Sequence, residues 1–162
     1  MGSWNNSDGL YLKYGTDKAD PNTAGEYRTN GALREIEVKI TLTDLTSTAA
    51  IISDAVFFPK MRIEEVEIVT HTAATSAGSP TLDVGLIQTD RSTEIDYEAF
   101  ANAVALTAID AAGEKTVLRV GSTGAGQLIG TTTSNVGYLT ANYNSAAYTA
   151  GVIYVRVRYY AA

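Results

Sequence analysis

Strict alternation of apolar and polar side chains near the C-terminal end constrains the fold of this chain more than any other feature of its sequence. Residues 151–160 read GVIYVRVRYY, in which one face of an extended strand carries Ile153, Val155, Val157 and Tyr159. The other face carries Val152, Tyr154, Arg156, Arg158 and Tyr160. A strand with one apolar face requires burial in a sheet, because its unpaired backbone would otherwise promote aggregation. We therefore predict that this strand closes a β-sheet around which the rest of the chain pairs.

Other stretches show the same period of two. Residues 34–42 (REIEVKITL) alternate cleanly, and shorter patterns predict strands at 49–58, 61–70, 81–88, 115–120 and 136–143. Within 61–70 (MRIEEVEIVT) the apolar positions change parity at Glu64 and Glu65, which predicts a β-bulge. Gly85 lies opposite the apolar face of its strand and indicates close packing there. Residues 71–80 and 121–135 are rich in small residues and are predicted to be loops.

One segment departs from this period. Between residues 94 and 112, large side chains recur at helical spacing: Tyr97, Phe100, Val104 and Ala108. Thr93 is suited to capping the start of a helix, and Gly113 to ending it. The sequence therefore predicts one short helix at about 94–112. With seven or eight strands, it predicts an all-β fold, an antiparallel two-sheet jelly roll or β-sandwich over residues 34–162.

Residues 1–33 lack a continuous strand or helix pattern, and we interpret them as an extended N-terminal arm. The arm nevertheless contains large side chains that a merely flexible leader would not need: Trp4, Leu10, Tyr11, Tyr14 and Tyr27. Two interpretations remain open, since these groups either pack back on the parent domain or dock on a neighbouring subunit or partner. The ten tyrosines of the chain suit surfaces that become buried in contacts.

Composition disfavours several classes of function. The 162 residues fit a single domain with an arm, and no apolar run approaches the length of about 18 residues that spans a bilayer. A net charge of −6 argues against nucleic acids and anionic membranes as partners, because both require clustered cations. The chain has no cysteine, which excludes disulfides, thiolate metal sites and cysteine nucleophiles.

Catalytic and metal-binding patterns are incomplete. His71 is the only histidine, and the Gly-x-Ser-x-Gly pattern of a nucleophile elbow is missing. An oxygen-only calcium site from Asp8, Asp17 and Asp20 lacks the spacing of an EF-hand loop. The glycine-rich stretch 121–130 lacks the Lys-Ser or Lys-Thr step of a phosphate-binding loop. We therefore expect no enzyme activity, no cofactor and no bound metal.

Five segments of the chain are distinctive when taken together: SWNNSDGLYLKYGTDKA, REIEVKI, FFPKMRIEEVEIVT, LDVGLIQTDRSTEIDYEAF and VRVRYY. Together they resemble small structural proteins that are encoded near the major capsid gene of tailed bacteriophages. That group comprises capsid decoration, cement and head-fibre-base proteins. The resemblance implies a jelly-roll fold, a homo-oligomer with a trimer favoured, and an arm lying on the shell. It implies a virion protein, made in the host cytoplasm, that binds the major capsid protein on the capsid surface and reinforces the shell.

We assign partner contacts to the five arm side chains named above and to the polar face of the terminal strand, Tyr154, Arg156, Arg158 and Tyr160. An alternative for the two arginines is simple pairing with glutamates of a neighbouring strand, either Glu35 and Glu37 or Glu65 and Glu67.

Two other functions stay open at this point. One is a carbohydrate- or receptor-binding module of a phage head or tail fibre, in which Tyr143 or Tyr148 stacks on sugar rings. The other is a hydrolase with paired carboxylates drawn from Glu64, Glu65, Glu67, Asp83, Asp90 and Glu94.

Overall fold

The computed structural model describes residues 3–5, 11–13 and 33–161, and these contain ten β-strands and two short 3₁₀ turns. The strands are β1 (Ser3–Asn5), β2 (Tyr11–Lys13), β3 (Arg34–Thr41), β4 (Ala50–Phe57), β5 (Met61–Ser76), β6 (Thr81–Gln88), β7 (Glu94–Ala105), β8 (Lys115–Leu118), β9 (Gly137–Asn144) and β10 (Tyr148–Ala161). The 3₁₀ turns are Leu42–Asp44 and Leu106–Ala108. No helix in these ranges is long and apolar enough to cross a membrane.

Strands β3 to β10 form two antiparallel four-stranded sheets. Sheet I has the order β3-β10-β5-β8, and sheet II has the order β4-β9-β6-β7. The first four strands of this set therefore pair with the last four in reverse order: β3 with β10, β4 with β9, β5 with β8, and β6 with β7. This nested pairing is that of a jelly roll, in which one long antiparallel hairpin is rolled into two sheets. The predicted two-sheet all-β fold is confirmed.

The core lies between the two sheets and is built from their apolar faces. Sheet I contributes, among others, Val38, Ile40, Ile68, Ile153 and Val155, and sheet II contributes Leu82, Val84, Leu86 and Leu139. The rings of Phe57 and Phe100, from β4 and β7, meet in this layer with centroids 4.8 Å apart and planes tilted by 44°. These side chains are buried because alternation places each of them on the inner side of its strand.

Strand β10 is an inner strand of sheet I. Ile153, Val155 and Val157 are fully buried and Tyr159 is nearly so, which confirms the predicted core face. The strand does not lie at an edge, as a closing strand would, because it pairs with β3 on one side and with β5 on the other. Both of its backbone edges are therefore used within the domain.

The predicted β-bulge in β5 is confirmed. Arg158 pairs with Glu65 whereas the next residue, Tyr159, pairs with Ile63, so Glu64 is the extra residue. The extra residue allows Ile63 and Val66, which have opposite parity, both to point into the core. The strand then continues to Ser76, so the loop predicted from residue 71 begins later than expected.

The helix predicted at about 94–112 is wrong, because residues Glu94–Ala105 form strand β7 and only the turn Leu106–Ala108 is helical. Strand β7 uses 12 residues where its partner β6 has 8, and three register shifts separate the paired positions. The extra residues interrupt the period of two, and the three consecutive residues Ala99, Phe100 and Ala101 are all buried. Without a visible period of two, the spacing of four between Phe100 and Val104, which fits a strand and a helix equally, suggests a helix from the sequence alone.

Two glycines lie against the bulged backbone of β7. A Cβ atom on Gly85 would be 2.1 Å from the carbonyl oxygen of Asp96 and 2.3 Å from the carbonyl carbon of Tyr97. On the loop that follows β8, a Cβ atom on Gly126 would be 2.3 Å from the backbone of Ala99. The close packing predicted at Gly85 is confirmed, and the glycine-rich loop is docked on β7 at the second glycine.

Candidate functional site

The outer face of sheet I carries the second set of predicted contact residues, and all four are half-buried: Tyr154, Arg156, Arg158 and Tyr160. Because β10 lies between β3 and β5, each arginine has a carboxylate on both sides. The register places Arg156 between Glu37 and Glu67, and Arg158 between Glu35 and Glu65. The two pairing alternatives drawn from the sequence therefore occur together.

Short contacts join these six side chains into a network that we call the charge ladder. The Nε atom of Arg156 donates to Glu37 over 2.6 Å, and its Nη1 atom donates to Glu67 over 3.2 Å. The Nε atom of Arg158 donates to Glu35 over 2.8 Å, and its Nη1 atom donates to Glu65. Hydrogen bonds from Arg156 to Glu37 and from Arg158 to Glu35 raise the pKa of each arginine further above its usual value.

The two β5 carboxylates of the charge ladder are the buried ones. The side chains of Glu65 and Glu67 are only 8% and 9% exposed. Each also has a cation on the side of the edge strand β8, since Arg119 Nε lies 2.5 Å from Glu65 and Lys115 Nζ lies 3.8 Å from Glu67. Glu67 additionally accepts from Arg158 Nη2 over 3.4 Å. Lys115 and Arg119 are not among the contact residues predicted from the sequence, although their spacing in the strand pattern KTVLR places them on one face. Four cations thus neutralise four carboxylates, and this part of the face is balanced in charge.

An aromatic contact flanks the charge ladder. The rings of Tyr154 and His71 meet edge to face with centroids 5.8 Å apart. His71 lies on strand β5 and is exposed, and its Nδ1 atom is 3.2 Å from the hydroxyl of Thr72. Within the described ranges, no group of three or more His, Cys, Asp or Glu side chains is arranged to hold a metal ion.

The arm residues are only partly within the described ranges. Strands β1 and β2 pair with each other as a separate two-stranded antiparallel sheet, with Trp4 opposite Leu12 and Tyr11 opposite Asn5. Leu10, Tyr14 and Tyr27 lie outside the described residues, as do Asp8, Asp17 and Asp20 of the conceivable calcium site. The contact role of the arm stays a prediction.

Two of the carboxylates that were candidates for glycoside hydrolysis are occupied by structural hydrogen bonds. Asp83 is buried, and its carboxylate accepts hydrogen bonds from the backbone N–H of Ala103 (2.6 Å) and from the side-chain amide of Asn144. Asp90 accepts the N–H groups of Ser92 and Thr93, each over 2.9 Å, and the Thr93 hydroxyl. These hydrogen bonds lower the pKa of Asp90 to about 2.

The tyrosines proposed for sugar stacking pack on each other. The rings of Tyr143 and Tyr148 meet edge to face with centroids 6.4 Å apart. Tyr148 is only 5% exposed and belongs to the core, and this burial raises the pKa of its hydroxyl. A ring placed in this way does not present a free face to a sugar, so stacking on Tyr148 does not fit the structure.

Removing one arginine of the charge ladder is expected to destabilise the fold. We predict that Arg158→Met lowers the free energy of unfolding by about 2 kcal/mol, because it leaves the buried Glu65 with a single cation. The loss is smaller than the 3–5 kcal/mol of a fully buried pair, because Arg158 is about one third exposed. Urea unfolding measures the change.

The matched control is Arg62→Met, because Arg62 lies 3.8 Å from Glu64 in an exposed pair on the neighbouring strand. We expect Arg62→Met to lower the free energy of unfolding by at most about 0.5 kcal/mol. Equal effects of the two substitutions would show that the charge ladder adds nothing beyond ordinary surface pairing.

Comparison with known proteins finds similarity at the level of fold. No protein-family model matches the sequence, and no curated protein matches it. A chain of the cyanophage Pam1 capsid asymmetric unit aligns with a TM-score of 0.55 and 17% identity over 93% of this chain and 100% of that chain. A chain of the Ralstonia phage GP4 capsid aligns with a TM-score of 0.53 and 17% identity over 82% of this chain and 86% of that one. A chain of the acid-stable capsid of Helicobacter pylori bacteriophage KHP30 aligns with a TM-score of 0.53 and 11% identity over 81% of this chain and 89% of that chain.

Proposed function

We propose that this chain is a structural, non-enzymatic protein of a phage virion, which binds the outer surface of the capsid and reinforces it. The observation that carries the proposal is the fold: the jelly roll aligns with chains of three phage capsid structures over 81%, 93% and 82% of its length. The partner is the major capsid protein. The protein also self-associates, and a trimer is the state that the sequence resemblance favours.

The mechanism is the repetition of many weak contacts by symmetry. A shell presents the same surface many times, so a contact of moderate strength at each copy adds up to a firmly held layer. Aromatic side chains contribute most per residue at such contacts because they bury a large area at a small cost in side-chain entropy. A protein that spans two shell subunits raises the force needed to separate them.

The direct test is the position of the protein on purified particles. We expect immunogold labelling and cryo-EM density to place it on the outer capsid surface, in repeated copies at subunit junctions. Density at the tail or portal would contradict the proposal, and so would particles that lack the protein altogether.

The contact role of the arm is tested in the full-length chain. We predict that Trp4→Ala, Tyr11→Ala and Tyr14→Ala combined weaken binding to shells assembled without this protein by about tenfold or more, because large aromatic contacts are lost. Binding is measured by co-sedimentation, and the melting temperature should not change. Unchanged binding with a lowered melting temperature would contradict docking and favour packing of the arm on its own domain.

A further inference from the structure

The two ends of the jelly roll differ in character. We call the end at which β3 begins the lower end; β5, β7 and β9 also begin there, and β4, β6 and β10 end there. In the described ranges, the exposed large apolar side chains are Leu33, Phe58, Val117, Val120 and Val136. All except Val117 lie at the lower end. The turns of the upper end, at 42–49, 77–80, 106–114 and 145–147, carry none.

The register places two of these apolar side chains beside each other and a third beside a tyrosine. Phe57 pairs with Gly137, so the following residue, Phe58, lies beside Val136 across β4 and β9. Tyr159 pairs with Arg34, which sets Leu33 beside Tyr160 at the end of β10. Phe58 is 54% exposed and Leu33 is 48% exposed.

Unpaired cations adjoin the apolar groups. Lys60 follows Phe58 in the same turn and Arg34 follows Leu33, and neither makes an ion pair with a described residue. Both are exposed.

Most carboxylates of the lower end are already engaged. Asp54 pairs with Arg91, and Glu64 lies near Arg62. Asp90 accepts hydrogen bonds from backbone N–H groups of its own turn. Of the described carboxylates at this end, Glu94 lacks a partner. Asp90 and Glu94 keep their negative charges, but they lie in the β6–β7 turn and at the start of β7, the strand at the opposite edge of sheet II from β4. The first charged residues after Phe58 and Leu33 are Lys60 and Arg34, so the charge next to these two apolar side chains is positive, although the chain as a whole carries a net charge of −6.

The chain outside the described domain joins at this same end. Residue 33 is the first residue of the continuous described range, so residues 1–32, which include the aromatic arm side chains, connect to the jelly roll beside Leu33. A partner seated on the lower end would therefore also be close to the attachment point of the arm.

We infer that the lower end is the surface that sits on another virion protein, and that this protein presents there an apolar area bearing carboxylates. The inference rests on the proposed function and adds the side that faces the shell. Lys60 and Arg34 select an acidic surface by charge complementarity. A second copy of this chain in a two-fold arrangement would set the same cationic patch against itself, which disfavours that occupant.

The test uses the full-length protein and shells assembled without it, with binding measured by co-sedimentation. We expect Phe58→Ser to weaken binding about tenfold, and Lys60→Glu to weaken it several-fold with a smaller dependence on salt. The matched controls are Val117→Ser and Lys39→Glu, which alter an exposed valine and an exposed lysine on sheet I away from the lower end. Both controls should bind as the unchanged protein does, and circular dichroism melts confirm that all variants fold.

The outcomes separate the two proposals. Binding by the unchanged protein and equally by all four variants would overturn the lower-end inference and leave the proposed function standing. No binding by the unchanged protein would overturn the proposed function. A change in the oligomeric mass of Phe58→Ser in analytical ultracentrifugation, with shell binding unchanged, would show that a second copy covers the lower end and would also overturn the inference.

Discussion

Removal of residues 151–162 is expected to leave a chain that cannot fold. Strand β10 is hydrogen-bonded along both edges, so its loss separates β3 from β5 and divides sheet I. It also removes four buried side chains, Ile153, Val155, Val157 and Tyr159. At about 1.5–3 kcal/mol for each, their burial is comparable with the entire stability of a typical domain, about 5–15 kcal/mol. Circular dichroism melting of the truncated protein should show no cooperative transition.

A second consequence of the truncation concerns the charge ladder. Without Arg156 and Arg158, the carboxylates of Glu65 and Glu67 keep only Arg119 and Lys115 on the other side. The control is removal of residues 161–162, which spares every core side chain of β10 and should leave the transition intact. A soluble truncation lacking residues 151–162 that melts cooperatively would contradict the central role of β10.

Where one face of a strand meets solvent, alternation predicted the structure well. The patterns of β3 and β10 have a period of two because one face of each strand is buried in the core and the other faces outward. Both strands lie where the sequence predicts them. The change of parity at Glu64 likewise marked the β5 bulge, since an extra residue leaves a direct trace in such a pattern. These features are local, so a single sequence contains them.

Strand β7 shows where that reasoning fails. Its register shifts remove the alternation, and the three consecutive side chains of Ala99, Phe100 and Ala101 are all buried. A period of two cannot be detected once several residues are inserted into a short strand, and the remaining spacing then matches a helix. The partner strand β6 is buried from Leu82 to Ile87, yet the apolar positions Leu82, Val84 and Leu86 predict it with the observed bounds, Thr81–Gln88.

The candidate site depended on long-range pairing. The sequence showed that Arg156 and Arg158 could meet glutamates of either of two strands, but it did not show that β10 lies between those strands. That position follows from the nested pairing of the jelly roll, which brings together β3 and β10, the first and last strands of the domain. The burial of Tyr148 is equally non-local, because it depends on packing against the core and against Tyr143.

Gly85→Ala is expected to destabilise the domain by about 3 kcal/mol or more, and Gly85→Val is expected to prevent folding. Three backbone atoms of Asp96 and Tyr97 lie within 2.5 Å of where the new Cβ atom would be. Backbone atoms cannot rotate aside as the end of a flexible side chain can, so β7 would have to separate from β6. Urea unfolding of Gly85→Ala, compared with the unchanged protein, measures the loss.

The control for this substitution is Gly113→Ala, which separates steric cost from conformational cost. Gly113 has a φ of 89° and no atom within 4 Å of an added Cβ, so its substitution is penalised only by the left-handed backbone, at about 1–2 kcal/mol. Gly85 is not among the residues with positive φ, so the loss of stability in Gly85→Ala comes only from the steric contact with the backbone of β7. If Gly85→Ala costs no more than Gly113→Ala, the bulged backbone of β7 does not approach β6 this closely. The close contact between the two strands would then not explain why this position holds a glycine.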